Sequence, residues 1–300
     1  MFIRSSMKLY LPPDVEQELR EAISRDDVDL FSEWASPLKW GKPSWSASQL
    51  LLHMLNDDEK RMWHWAVNLA SQENPHVRRY ASKLLLNLWE KDRSRAEKWL
   101  KKLADDEHWI VREDAHNVWG RHLGKDFRNI KPILQTWTRS SSTNLRRCVV
   151  IAVRKAGNLK KEDLAEPLIS LLEPLLSDKT PYVRKNLGPF AIGDGLLRCY
   201  PSVTLGRLRE WAGRKDEGSL WNVAMAFASY GGNKNWQEGT RILSALATDE
   251  RRFVWRAVAS AMLYLAHRQP KVRDMLKDWL KDSKRVKVAE TALKYLTKKS

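Results

Sequence analysis

Cysteine is nearly absent: Cys148 and Cys199 are the only two in 300 residues. Both fall in apolar stretches of helical spacing, and no zinc-ligand spacing exists, so a reducing compartment and a cytoplasmic location are expected. Long apolar runs are missing too, and none approaches the roughly 20 residues that span a bilayer. Met1 to Leu11 has no apolar core of the kind a secretory signal needs, so neither secretion nor a membrane partner is expected. There is no Walker loop, no glycine-rich dinucleotide turn and no HExxH, which removes the common nucleotide-dependent and zinc-protease classes. The seven histidines are scattered. His53, His64, His76 and His116 read as surface or core members of helices, and no metal or cofactor is expected.

Positive charge and tryptophan are abundant. The formal net charge is +16, which points to a polyanionic partner, nucleic acid ahead of a membrane. Fifteen tryptophans stand in a chain that is 43% hydrophobic, enough for a sizeable buried core.

One short phrase organises the chain: an apolar residue, a basic residue, two spacers, then a small or aliphatic residue. It reads Val77-Arg78-Arg79-Tyr80-Ala81, Val111-Arg112-Glu113-Asp114-Ala115, Leu145-Arg146-Arg147-Cys148-Val149, Val183-Arg184-Lys185-Asn186-Leu187 and Trp255-Arg256-Ala257-Val258-Ala259. The arginines are 34, 34, 38 and 72 residues apart. The double gap holds Trp221-Asn222-Val223-Ala224-Met225, with Asn222 in the arginine slot. A fixed period of this size marks a helical repeat array. Before each phrase stands a turn (Asn74-Pro75, Asp105-Asp106, Asp178 to Pro181, Asp249-Glu250), and before the turn an apolar stripe such as Leu168, Leu172, Leu175 and Leu176. The turn residues can accept the free N–H groups of the next helix. Each unit is therefore helix, turn, helix, with a face that only stacking against a neighbour can bury. The unit resembles HEAT-type repeats. The expected fold is all-α, a right-handed α-α superhelix (solenoid) of about six such repeats with an N-terminal helical cap. Residues 1–70 would form the cap and 71–300 one continuous array.

Within the cap, helices are expected from Pro12-Pro13-Asp14 to Ile23, over Val28–Trp34, to Leu55 with Ser46 or Ser48 as cap, and over Glu59–Ala70. Ser36 to Trp45 is read as a loop from its proline and glycine. Further on, Pro189 falls inside a helix, where it removes a backbone donor. Gly193 and Gly195 are expected to loosen that segment, and Tyr230 to Asn235 reads as a turn.

Trp89, Trp99, Trp119, Trp137, Trp211 and Trp279 sit at core-facing positions and read as packing residues. Trp40, Trp45 and Trp109 stand in or beside turns, where stacking on an unpaired base is the alternative. Arg78, Arg112, Arg184 and Arg256 are expected to pair with an acidic turn residue of the next unit. The basic residues one position on, Arg79, Arg147 and Lys185, are expected to face solvent or phosphate.

A more specific likeness lies between residues 108 and 201. His108-Trp109-Ile110-Val111-Arg112-Glu113-Asp114, then Asn144-Leu145-Arg146-Arg147, then Tyr182-Val183-Arg184-Lys185-Asn186-Leu187-Gly188 resemble three consecutive motifs of the HEAT-like-repeat DNA alkylation repair proteins, the AlkD/AlkC-type DNA glycosylases. In one branch the first motif is a Trp followed four residues later by an Asp. Here Glu113 holds that place and Asp114 follows. The third motif should end in Trp, where this chain has Pro189. In the other branch a Val-Arg segment leads to Asn-Asp and then His-Pro, an order that Val183-Arg184, Asp194 and Tyr200-Pro201 follow loosely.

The resemblance implies a DNA repair protein that holds double-stranded DNA, and possible excision of purines alkylated at N3 or N7 by a monofunctional glycosylase. Such bases are cationic, so an aromatic face attracts them and a carboxylate near the sugar stabilises the charge that develops as the bond breaks. It nominates Trp109 for the base, Glu113, Asp114 and Asp194 as carboxylates, and Arg146 or Arg147 for phosphate, beside Arg79 and Lys185 from the repeated phrase. Glu113 and Asp114 equally suit the first turn of a helix, where the dipole favours acids. A non-enzymatic scaffold for protein partners is the alternative, and the chain is expected to be a monomer.

Overall fold

The computed structural model describes residues 8–38 and 40–296; Lys39 of the expected loop and the rest of both termini lie outside it. The described residues are helical and contain no strand. No described helix is long and apolar enough to cross a membrane. The chain groups into two compact units, residues 1–119 and 120–300, with the division inside the helix Trp109–Lys125.

In the first unit, Pro13–Ser24 packs on Val28–Ala35, and Ala81–Leu88 packs on both Glu59–Ala70 and Arg93–Ala104. Side chains start several of these helices by accepting a free N–H: Asp27 from Leu30 (2.9 Å), Asp58 from Arg61 (3.0 Å) and Asp92 from Arg95 (3.0 Å). The expected serine cap is not used. The helix begins earlier, at Lys42 with Pro43 in its first turn, and runs to Leu55, so Trp45 is helical. Ser46 is buried and accepts the N–H of Tyr10 at 2.8 Å.

The second unit is two layers of helices. Thr143–Gly157, Leu187–Leu197, Glu217–Ala226, Arg252–Ala266 and Val286–Leu296 pack in succession along one layer. Phe127–Trp137, Ala165–Leu172, Pro201–Ala212 and Trp236–Leu246 follow one another in the other. The core tryptophans largely follow expectation: Trp89, Trp119, Trp137, Trp211 and Trp279 are buried, whereas Trp99 is half-buried beneath Lys102.

The repeating turn has a repeating hydrogen bond, from the N–H two residues on to the side chain that opens the turn. It is made by Asn74 (2.9 Å), Asp106 (2.8 Å), Ser140 (3.1 Å), Asp178 (2.8 Å), Asp249 (2.9 Å) and Asp282 (2.9 Å). The phrase arginine then folds back over its own turn. Nη1 of Arg78 donates to the carbonyls of Gln72 and Glu73, that of Arg112 to Asp106 and Glu107, and that of Arg146 to Ser140 and Ser141. The same head groups reach forward to the next turn: Arg78 Nε to Asp106 at 2.9 Å, and Arg146 Nε to Asp178 at 2.6 Å. Hydrogen bonding to Asp106 raises the Arg78 pKa further. Asn222, fully buried in the arginine slot, donates instead to the carbonyls of Leu176 (2.8 Å) and Gly218 (3.0 Å).

The pairing scheme changes towards the C-terminal end. Arg184 has no carboxylate partner among the described residues. Its guanidinium lies over the rings of Trp221 (5.1 Å) and Phe253 (4.6 Å). Arg256 is exposed, and its side chain makes no ion pair or hydrogen bond among the described residues. Both arginines therefore depart from the expected acidic pairing.

Burial alone would raise the pKa of Asp178, but hydrogen bonds from Thr180 and Arg146 outweigh it and hold the carboxyl below its ordinary value. A lowered carboxyl contributes stability that is complete above its unfolded pKa and disappears as pH falls through the folded one. Asp178→Asn should therefore lower the urea midpoint near neutral pH, and the gap from the wild type should narrow below about pH 4. A gap that stays constant across that range would rule out this linkage.

The segment around Pro189 differs from expectation. The helix Pro181–Asn186 gives way to a π-helix, Leu187–Leu197, rather than a loose kink. Proline lacks the N–H that an α-helical ladder requires at this point, and the wider spacing continues the helix past it. Gly193 is packed tightly, because a Cβ there would collide with the carbonyl oxygen of Ala226 and with Ser229. Tyr230–Lys234 is a short helix, not a plain turn, and Gly231 likewise has its backbone against Gly193. Gly193→Ala should cost about 1–3 kcal/mol by overpacking. Gly206→Ala, where the added methyl meets nothing within 4 Å, should not destabilise the chain. Urea midpoints of the two variants decide this.

Candidate functional site

The first unit gathers aromatic side chains around the start of the helix Trp109–Lys125. Asp106 accepts the His108 N–H at 2.8 Å, and the His108 ring lies 6.1 Å from that of Trp109. Trp109 is 50% exposed and meets Trp40, itself 56% exposed, edge to face at 5.4 Å. Two large rings left half in water are not explained by core packing. His76 stands 5.9 Å from His108 on the other side.

A buried ion pair lies next to these rings. Arg79 is 6% exposed and Asp114 8%, and Arg79 Nε meets Asp114 Oδ2 at 2.6 Å. The guanidinium carbon is 5.8 Å from the Trp40 ring, while its Nη1 is buried with no hydrogen-bond partner. Arg79 therefore does not face solvent as the sequence suggested, since its head group turns inward to Asp114. Glu113 is partly exposed and follows Trp109 by one helical turn, so the two lie on one side of the helix.

The other nominated residues belong to the second unit. Arg146 is committed to Asp178, and Arg147 is 9% exposed with its guanidinium 4.8 Å from the Tyr182 ring. Arg147 thus also differs from its expected solvent-facing position. Lys185 is exposed. Asp194 is half-buried in the π-helix, and its Oδ1 accepts the N–H of Tyr230 at 2.7 Å. Within the first unit, Trp109, Glu113, Asp114 and Arg79 come together. The sequence singled out Trp40 with Trp45 and Trp109 as aromatics beside turns that could stack on a base, but no spacing rule pairs Trp40 with Trp109. The Arg184–Trp221–Phe253 cluster was equally hidden, although Trp221 beside the anomalous Asn222 was its one available signal. No group of side chains suited to a metal ion occurs among the described residues.

Fold and turn chemistry define an all-α protein of stacked helix–turn–helix units joined by arginine rungs. Residues 56–190 match the family described as DNA alkylation repair enzyme, a stretch that includes all three quoted motifs. The resemblance read from those motifs is thereby borne out: this stretch is similar to the DNA alkylation repair enzymes. No curated protein is significantly similar to the chain. Two crystal structures of engineered proteins align along nearly the whole chain. One is 16% identical, covering 95% of this chain and 99% of its own, with a TM-score of 0.27. The other is 14% identical, covering 96% and 98%, with a TM-score of 0.23. At such scores neither likeness carries an argument.

Proposed function

We propose that this protein binds duplex DNA and excises cationic N3- or N7-alkylated purines, with the half-exposed Trp40–Trp109 pair as the platform for the base. That pair carries the reading: Trp109 stands within the stretch that matches the repair family, and Trp40, from outside it, packs against its ring. A base bearing positive charge is drawn to the faces of indole rings, most strongly where water is excluded. Glu113, one turn along the helix from Trp109, is the carboxylate assigned to the oxocarbenium charge or to orienting the attacking water.

Asp114 takes a different part in this scheme. Its charge is matched by Arg79 at 2.6 Å, so the pair holds the helix start against the preceding repeat and fixes the direction of Trp109. Arg79, turned inward to Asp114 with its guanidinium 5.8 Å from the Trp40 ring, supports the platform from beneath. Lys185, exposed and without an acidic partner among the described residues, is assigned to phosphate, and the chain's charge of +16 supports salt-sensitive binding.

Purified protein incubated with methylated duplex DNA should release free methylpurine and leave abasic sites. Binding should weaken steeply as salt is raised. Tight DNA binding without release would leave a non-catalytic relative. The absence of both would favour a scaffold for protein partners.

A further inference from the structure

The second unit carries another aromatic and basic surface, beyond residue 190 and outside the segment that matches the repair family. Two adjoining grooves run along the helices Glu217–Ala226 and Arg252–Ala266 and share Met225 and Ser260. The first is lined by Trp221 and Phe253 with Arg252 and Arg256. The second is lined by Tyr264, His267, Arg268 and Tyr295. Neither lining includes an acidic side chain.

Three features point to the same class of ligand. Trp221 and Phe253 are nearly parallel, 16° apart with centroids at 5.9 Å, and Arg184 lies over both rings. They are partly open to solvent, as is Tyr264, while Tyr295 is 46% exposed. Arg252 and Arg256 are exposed and make no side-chain ion pair among the described residues, in contrast with Arg78 and Arg146. Arg268 lies over one face of the Tyr264 ring at 3.8 Å and donates to the Tyr264 carbonyl at 2.9 Å. Half-open rings beside guanidinium groups that no carboxylate matches suit a strand that offers flat faces and phosphates together.

We infer that this groove binds single-stranded nucleic acid, with unpaired bases stacked on Trp221, Phe253 and Tyr264 and phosphates held by Arg252, Arg256 and Arg268. Duplex DNA would satisfy only the arginines, because its bases are already stacked on one another and leave no face for the rings. An unpaired strand satisfies both. The inference stands apart from the glycosylase reading, since it uses none of the residues around Trp109.

The test is fluorescence anisotropy of a labelled oligo(dT) about twelve nucleotides long, added to the full chain. Trp221→Leu and Tyr264→Leu should each weaken binding about tenfold, as loss of one stacking platform does. Arg252→Gln/Arg256→Gln, which alters only exposed side chains, should weaken binding and flatten its dependence on salt. Thermal unfolding of each variant separates lost contacts from lost fold, and the arginine pair stays informative if a leucine variant unfolds. Lys98→Gln, at an exposed lysine outside both proposed surfaces, should leave oligo(dT) binding nearly unchanged. Wild-type affinity in the arginine variant, or a loss on Lys98→Gln equal to that on Trp221→Leu, would overturn the assignment. So would a polyglutamate peptide that binds as tightly as the oligonucleotide, which would make the groove a site for acidic proteins. Failure of methylpurine release would not affect this outcome, so the two readings fall separately.

Discussion

Asp114→Ala is expected to destabilise the first unit by about 3–5 kcal/mol, because it leaves the Arg79 charge buried without its partner. The geometry sets the size of the effect: both side chains are about nine-tenths buried, and the contact is 2.6 Å. An exposed pair would contribute about 1 kcal/mol or less. The measurement is the urea midpoint of the variant, beside Arg79→Met/Asp114→Leu, which removes both charges and keeps apolar bulk. The double variant should recover much of the loss, since replacing both partners avoids a stranded charge. If Asp114→Ala were as stable as the wild type while losing base release, Asp114 would be the reacting carboxylate and the assignment here would be reversed.

Glu113→Gln should do the opposite. Glu113 is only partly buried at the start of its helix, so the amide should fold with a midpoint near that of the wild type. Release of methylpurine should fall by about a hundredfold or more, the usual consequence of removing one group that stabilises developing charge. Binding of undamaged duplex should not weaken, because the substitution removes a negative charge from the surface proposed to face DNA. Trp109→Ala would separate the two stages: it should weaken capture of the alkylated base, whereas Glu113→Gln should slow the chemical step in single-turnover kinetics. A Glu113→Gln protein with full activity would remove this residue from the chemistry.

The repeat was readable in the sequence because its period is enforced at several positions at once. The turn acceptor, the arginine four to seven residues later and the apolar stripe must all recur if neighbours are to stack, so Arg78, Arg112 and Arg146 announce their roles by spacing alone. The tryptophans of the core were readable for the same reason. Side-chain direction within the phrase was not. Arg79 and Arg147 stand beside a rung arginine and look like surface charges, yet each turns inward, one to Asp114 and the other to Tyr182. Nothing at their own positions distinguishes them from Lys185, which does face water. The partner decides the direction, and the partner is some 35 residues away. Trp40 was hidden by the same kind of distance. The π-helix at Leu187–Leu197 was half legible: Pro189 showed that an ordinary helix could not persist, but not what would replace it.

The packing of that π-helix bears on how the protein could change over time. Its contact with the next repeat is made by main-chain atoms meeting at Gly193 and Gly231, with Gly188 similarly close to Asn222. Glycines at such points are nearly immutable, because any added side chain would push the two repeats apart. Ala191 and Ile192 between them are fully buried, and the Arg154 guanidinium lies 3.6 Å from the Phe190 ring. Pro189 is half exposed, but its missing N–H belongs to the wide turn itself. Evolution at this place is therefore coupled: a residue that restores the N–H changes the helix as well as the side chain.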